Sequence, residues 1–139
     1  HFEHFIVDDF LSRMITNPHA LDVVVMPNLY GDIMSDGAAG LIGGLGLAPS
    51  GCYGEEYAYF ESAHGTAPDI AGQNIINPTA TVLSAAMLLD YLDLSETADK
   101  IRHAVTAVYA DKSNLTVDQG GRASTSGFFD ALHKALAHT

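Results

Sequence analysis

Asp32 and Asp36 stand four residues apart in the run Asn28-Leu29-Tyr30-Gly31-Asp32-Ile33-Met34-Ser35-Asp36. On a helix that spacing puts both carboxylates on one face. Side by side they repel each other, and a divalent cation held between them removes that cost. The stretch offers no Cys or His, only oxygen, which suits hard ions: Mg2+, Mn2+ or Ca2+. The same pair would also be at ease near a helix N-terminus, facing water, where the helix dipole favours acids. The residues alone allow both readings.

A second stretch with chemical potential is His64-Gly65-Thr66-Ala67-Pro68-Asp69-Ile70-Ala71-Gly72. It is dense in Gly, Pro and small polar residues, and long enough to wrap a ligand with main-chain groups. Its plain alternative is a surface loop with His64 as a turn residue. The glycine-rich run Leu41-Ile42-Gly43-Gly44-Leu45-Gly46-Leu47-Ala48-Pro49 fits neither G-x-G-x-x-G nor a Walker A pattern, because no Gly-Lys-Ser/Thr follows. It reads as a turn against apolar neighbours. Cys52 is expected in a Gly-rich loop beyond it, with no activating base beside it, as a structural thiol.

The elements that must position these groups are set by the hydrophobic pattern. Ile6, Val7, Phe10, Leu11, Met14 and Ile15 recur at helical spacing, and Asn17-Pro18 stops that helix. So wide an apolar face on so short a helix suggests contact on two sides, the second with another subunit. Leu21 to Met26 reads as a buried parallel strand, since the run is continuous rather than alternating. Pro27 breaks it, and a helix is expected from Asp32. Such β-to-α joints are where open α/β sheets place their sites. Small residues Gly37, Ala38, Ala39 and Gly40 would admit a second helix closely.

Tyr57 to Glu61 is a second strand candidate. Asn77 and Pro78 suit the cap and first residue of a central helix running to about Leu92. Ser95 is expected to cap the next helix, which buries Ile101, Val105 and Val108. Leu115 to Val117 reads as a short strand or extended segment, and Asp118-Gln119-Gly120-Gly121 as a turn. The last helix is expected to bury Phe128, Phe129, Leu132 and Leu136.

Composition narrows the function. With 139 residues, 47% hydrophobic and 17% charged, the chain can bury a core. Seventeen acidic against six basic residues, a net charge of −11, argue against nucleic acid and against anionic membranes as partners. The single cysteine precludes an intrachain disulfide and fits a reducing, cytoplasmic setting. The apolar part of Asn74 to Leu89 is too short to span a bilayer. An abrupt start on His1-Phe2-Glu3-His4-Phe5 suggests a piece of something longer.

Taken together, N-L-Y-G-D-I-M-S-D at 28–36, G-G-L-G-L-A-P at 43–49 and H-G-T-A-P-D-I-A-G-Q-N-I-I-N-P at 64–78 resemble the β-decarboxylating dehydrogenases of isocitrate, isopropylmalate, homoisocitrate and tartrate. The match runs from Glu3 to the C-terminus. With the closing D-Q-G-G-R-A-S-T-S, it looks most like the NAD-dependent isocitrate enzymes. The fold implied is α/β: part of an open parallel or mixed sheet flanked by helices, one domain over 1–139, with dimer-forming helices.

The resemblance also implies site residues. Asp32 and Asp36 match the family's ligands for Mg2+ or Mn2+, and Asp8 matches a third ligand supplied by the other subunit of a homodimer built through helices 6–15 and 32–42. The loop His64, Gly65, Thr66, Ala67, Asp69 and Ile70 matches the adenosine loop, with Asn77 near the adenine and Glu61 just before it. A carboxylate at Asp69 would accept bonds from both ribose hydroxyls of NAD and repel the 2′-phosphate of NADP, where NADP-using relatives commonly carry Lys-Tyr in place of Asp69-Ile70.

Other family parts have no match. The substrate arginines, the tyrosine near the departing CO2 and the proton-moving lysine lie upstream in the family, and Arg13, Arg102 and Arg122 do not stand in matching contexts. No catalytic residue is therefore identified. The expectation is a part of an NAD-linked, metal-dependent enzyme that oxidatively decarboxylates a hydroxy acid, isocitrate first, and is inactive alone. Homoisocitrate or isopropylmalate is the alternative acid. An oligomerisation module or a plain acidic cation-binding domain are the alternative roles.

Overall fold

A computed structural model describes residues 1–138, which fall into two compact units, His1–Ile42 and Gly43 onward. In the first unit, helix α1 spans Val7–Thr16 and α2 spans Asn28–Ile42. Asp8 and Asp9 lie in the first turn of α1, and the Asn17 N–H closes its last turn on the Arg13 carbonyl at 2.8 Å. Phe10 and Met14 of α1 are buried with Met34 of α2, and Phe5, Val7, Leu21, Met26 and Ala38 pack against them. A Cβ added at Gly37 would lie 3.4 Å from Met14 Cε, so the small-residue stretch does admit the neighbouring helix.

Two expectations fail in this unit. Helix α2 starts at Asn28, one turn before Asp32, because the Gly31 N–H already bonds the Pro27 carbonyl at 2.9 Å. Pro27 thus ends the extended run before it and supplies the first acceptor of α2. Leu21 to Met26 forms no strand, and Val23 and Val25 are 84% and 88% exposed. A strand exists only with a ladder partner, and none of the described residues runs beside this segment.

In the second unit, β1 (Pro49–Tyr53) and β2 (Ala58–Ser62) form an antiparallel hairpin with Gly51 opposite Phe60 and Cys52 opposite Tyr59. The α/β layering is as expected. Its sheet, among the described residues, is this antiparallel pair. Cys52 is therefore a strand residue, not a loop residue, and is exposed. The missed strand has low intrinsic β-propensity, and pairing overrides it: at Gly51 a Cβ would come within 3.0 Å of the Phe60 ring.

Helix α3 (Thr79–Tyr91) packs on both strands and on α4 (Ser95–Asp111), which in turn packs on α5 (Thr125–Leu136). The face that α3 buries is made of small residues, Thr79, Ala80, Ser84 and Ala86. They let the hairpin come close enough for Ser84 Oγ to reach the Glu61 carbonyl at 2.6 Å and the Ser50 N–H at 3.3 Å. The main core lies between α4 and α5: Ala104, Val105, Val108, Phe128 and Leu132. Phe129, expected inside, is 46% exposed, since it follows Phe128 by 100° around α5. Ser95 is the first residue of α4 rather than its cap, whereas Ser124 caps α5 by accepting the Gly127 N–H at 3.1 Å.

Arg102 on α4 ties down Asp90 at the end of α3 and Asp99 on its own helix, the latter at 3.0 Å. Hydrogen bonding to the guanidinium holds the Asp90 carboxyl below the usual carboxylate range. Among the described residues no helix is long and apolar enough to cross a membrane.

Candidate nucleotide cleft

Four short segments of the second unit converge on one cleft of about 430 Å³. His64, Gly65, Ala67 and Ile70 form one wall, Ile75, Ile76 and Asn77 a second, and Gly46 and Asp118 the third. The loop after β2 bends because Ala67 takes a left-handed conformation, φ 43° and ψ 60°, which starts a 3-10 turn at Pro68–Ile70. The Ile70 N–H closes that turn on the Ala67 carbonyl at 3.1 Å. A left-handed alanine is a strained choice of the kind that collects at functional loops.

His64 Nδ1 meets the Gly65 carbonyl at 2.9 Å, so Nδ1 carries the proton and donates it. Its Nε2 is buried and has no hydrogen-bond partner among the described residues. An unsatisfied buried acceptor costs about 1–3 kcal/mol. Ordinary surface loops give no reason to carry that cost.

Asn77 is buried and both N–H groups of its amide are used. Nδ2 donates to Asp118 Oδ2 at 2.9 Å and to the Tyr109 hydroxyl at 3.1 Å, while Oδ1 accepts the Thr79 N–H at 3.0 Å. The helix starts one residue after the expected first position, yet Asn77 still satisfies one of its opening N–H groups. Asp118 gathers Thr116 Oγ1 at 2.6 Å, Asn77 Nδ2, and Gln119 Nε2 at 3.0 Å. Desolvation is the largest influence on the Asp118 carboxyl and pushes it up. The bonds from Thr116, Asn77 and Gln119 together outweigh it, leaving the group below the ordinary carboxylate range and ionised at neutral pH.

Of the residues singled out in sequence for the adenosine loop, five line the cleft: His64, Gly65, Ala67, Ile70 and Asn77. Thr66 and Asp69 are exposed on the same loop without lining it, and Gln73 Nε2 engages the Asp69 carbonyl at 2.9 Å. Glu61 is exposed on β2, opposite Ser50 in the ladder, and its carbonyl accepts the Ser84 hydroxyl. Gly46, Ile75, Ile76 and Asp118 were not singled out. All four lie in quoted motifs, at positions where the residue type alone suggests no chemistry. Asp118 was taken for a turn residue, and the signal that could have raised it is an acid beside a buried threonine and a Gly-Gly pair.

Asp32 and Asp36 are exposed, one helical turn apart on α2, and Asp8 is exposed at the start of α1. Asp9 is engaged by Arg13 at 2.8 Å, which leaves the metal candidate Asp8 outside that ion pair. Among the described residues no three potential ligands gather within one chain. The donor set nonetheless suits Mg2+ or Mn2+: oxygen only, charged, and on one helix face. A second hollow, of about 360 Å³ beside Asp111, Asn114, Asp130 and Lys134, contains no predicted residue.

The isocitrate/isopropylmalate dehydrogenase family model matches residues 1–132. A probable mitochondrial NAD-isocitrate dehydrogenase alpha subunit from Drosophila melanogaster is 54% identical over 94% of this chain and 35% of its own length. An isocitrate/homoisocitrate dehydrogenase from Thermus thermophilus is 51% identical over 96% of this chain and 40% of its own. A 3-isopropylmalate/3-methylmalate dehydrogenase from Methanocaldococcus jannaschii is 52% identical with the same coverage. Among solved structures, isocitrate dehydrogenase from Methylococcus capsulatus superposes with a TM-score of 0.90 at 39% identity, over 95% of this chain and 40% of that one. The chain thus spans two-fifths or less of the length of these relatives.

Proposed function

We propose that this chain, which belongs to the isocitrate/isopropylmalate dehydrogenase family, supplies the adenosine half of an NAD site and two ligands of a Mg2+ or Mn2+ site in the oxidative decarboxylation of a hydroxy acid. Isocitrate is the acid we put first, because it is named for both the fly and the Thermus relatives. The observation that carries the reading is the cleft, where five of the eight residues expected around the cofactor meet. Apolar Ile70, Ile75 and Ile76 offer flat surfaces for a base, while the loop main chain offers hydrogen bonds.

In this reading Asp69, between two cleft residues, accepts from the ribose hydroxyls of NAD and repels an added 2′-phosphate. Asp32 and Asp36 hold the cation, with Asp8 of a second copy completing the set. The ion, when bound, supplies the positive charge that steadies negative charge developing on the substrate oxygen. We also propose that a second copy docks through α1 and α2, because Ile6, Leu11 and Ile15, and on α2 Ile33, Leu41 and Ile42, are exposed. Sedimentation at rising concentration tests this, with a dimer expected; Leu11→Glu should return it to monomer.

Calorimetric titration tests the cofactor reading. NAD is expected to bind and NADP not, and Asp69→Lys is expected to erase that preference. A folded chain that binds neither overturns it.

A further inference from the structure

We infer that Asp118 is the positioning residue of the cleft: it locks the Asn77 side chain, and with it the wall that opens α3, in place for the bound nucleotide. This rests on the nucleotide reading above and adds a residue that the family motifs did not single out.

An ionised carboxylate has about four lone-pair sites. Three are taken by Thr116 Oγ1, Asn77 Nδ2 and Gln119 Nε2. Asn77 has given both of its N–H groups, and its oxygen accepts one bond. Neither side chain has a free N–H to offer a ligand, although both residues line the cleft.

What Asp118 does is join the walls. Through Asn77 it fixes the segment that opens α3. Through Gln119, whose Nε2 also donates to the Gly43 carbonyl at 2.8 Å, it fixes the glycine-rich turn. That turn packs so tightly that a Cβ at Gly46 would lie 3.1 Å from Asp118 Oδ2 and 3.2 Å from Asn77 Cβ.

The test is calorimetric titration of the chain with AMP, the adenosine half alone, alongside melting curves. Asp118→Ala is expected to weaken AMP at least about tenfold. Asp118→Asn keeps an acceptor for Asn77 and turns its amide toward Thr116 Oγ1, so it should stay within about threefold of the parent. Tyr109→Phe removes the second acceptor from Asn77 and should weaken AMP about threefold, which keeps the test alive if Asp118→Ala does not fold. A merely structural role would lower the melting temperature of Asp118→Ala while leaving AMP affinity unchanged, and that result overturns the inference. So does equal loss in the Ala and Asn variants, because charge rather than positioning would then matter. If the parent chain takes up no AMP at all, the nucleotide reading itself fails, a distinct outcome.

Discussion

The two units treat the same kinds of residue in opposite ways. From Gly43 onward, apolar groups are enclosed between α4 and α5, and polar side chains such as Asn77, Thr79, Ser84 and Thr116 are buried with named partners. In His1–Ile42 only Phe10, Met14, Met34 and Ala39 are buried among the hydrophobic residues, and Ile6, Val23, Val25, Leu29 and Ile42 face outward. Apolar composition is comparable, but enclosure is not. The lesson is that an apolar run states a need for cover, and the cover can come from elsewhere. The cleft belongs to the better-enclosed unit, whereas the proposed metal ligands belong to the unit with more uncovered apolar surface.

That contrast can be broken at its strongest point first. Phe128 is fully buried, so Phe128→Ala should cost about 3–5 kcal/mol and lower the melting temperature sharply. Next is Gly121→Ala, whose Cβ would fall 1.8 Å from the Leu115 carbonyl oxygen. The backbone must move, so the Asp118 turn should shift, with loss of stability and of nucleotide affinity together. Denaturant titration and calorimetry on one sample check both.

A milder contrast comes from pH. The Asp118 carboxyl is held below its ordinary value in the fold, so its stabilisation is present above the usual carboxylate range and lost as pH falls through that range and below. Unfolding midpoints measured from neutral pH downward should fall less steeply in Asp118→Asn than in the parent. The smallest effect is expected in the other unit. Val25→Ser, at a site 88% exposed, should change stability by no more than about 0.5 kcal/mol while improving solubility. A loss comparable to that of Phe128→Ala would erase the distinction between the units.

Much of the helical frame was legible because amphipathic spacing and proline positions are local signals: α1 and α3 fall close to their expected bounds, and α5 carries the four apolar residues expected of the last helix. The Leu21–Met26 strand was misread because strands are completed by distant partners that local pattern does not reveal. For the same reason β1 was missed, its glycine and serine giving no local hint of the Phe60 ring that needs the space. Within the site, the His64–Ile70 loop was legible through its motif. Asp118 was not, since its importance lies in three donors drawn from positions 77, 116 and 119. Spacing along a chain announces ligands on one helix or loop; it is silent about a residue that fastens three segments.

The most direct test of the central claim is amide hydrogen exchange of the chain with and without NAD. The account predicts slowed exchange in residues 64–77 and 118–121, with 21–26 unchanged. Saturating NAD that leaves 64–77 unaltered, or that protects 21–26 instead, would contradict it.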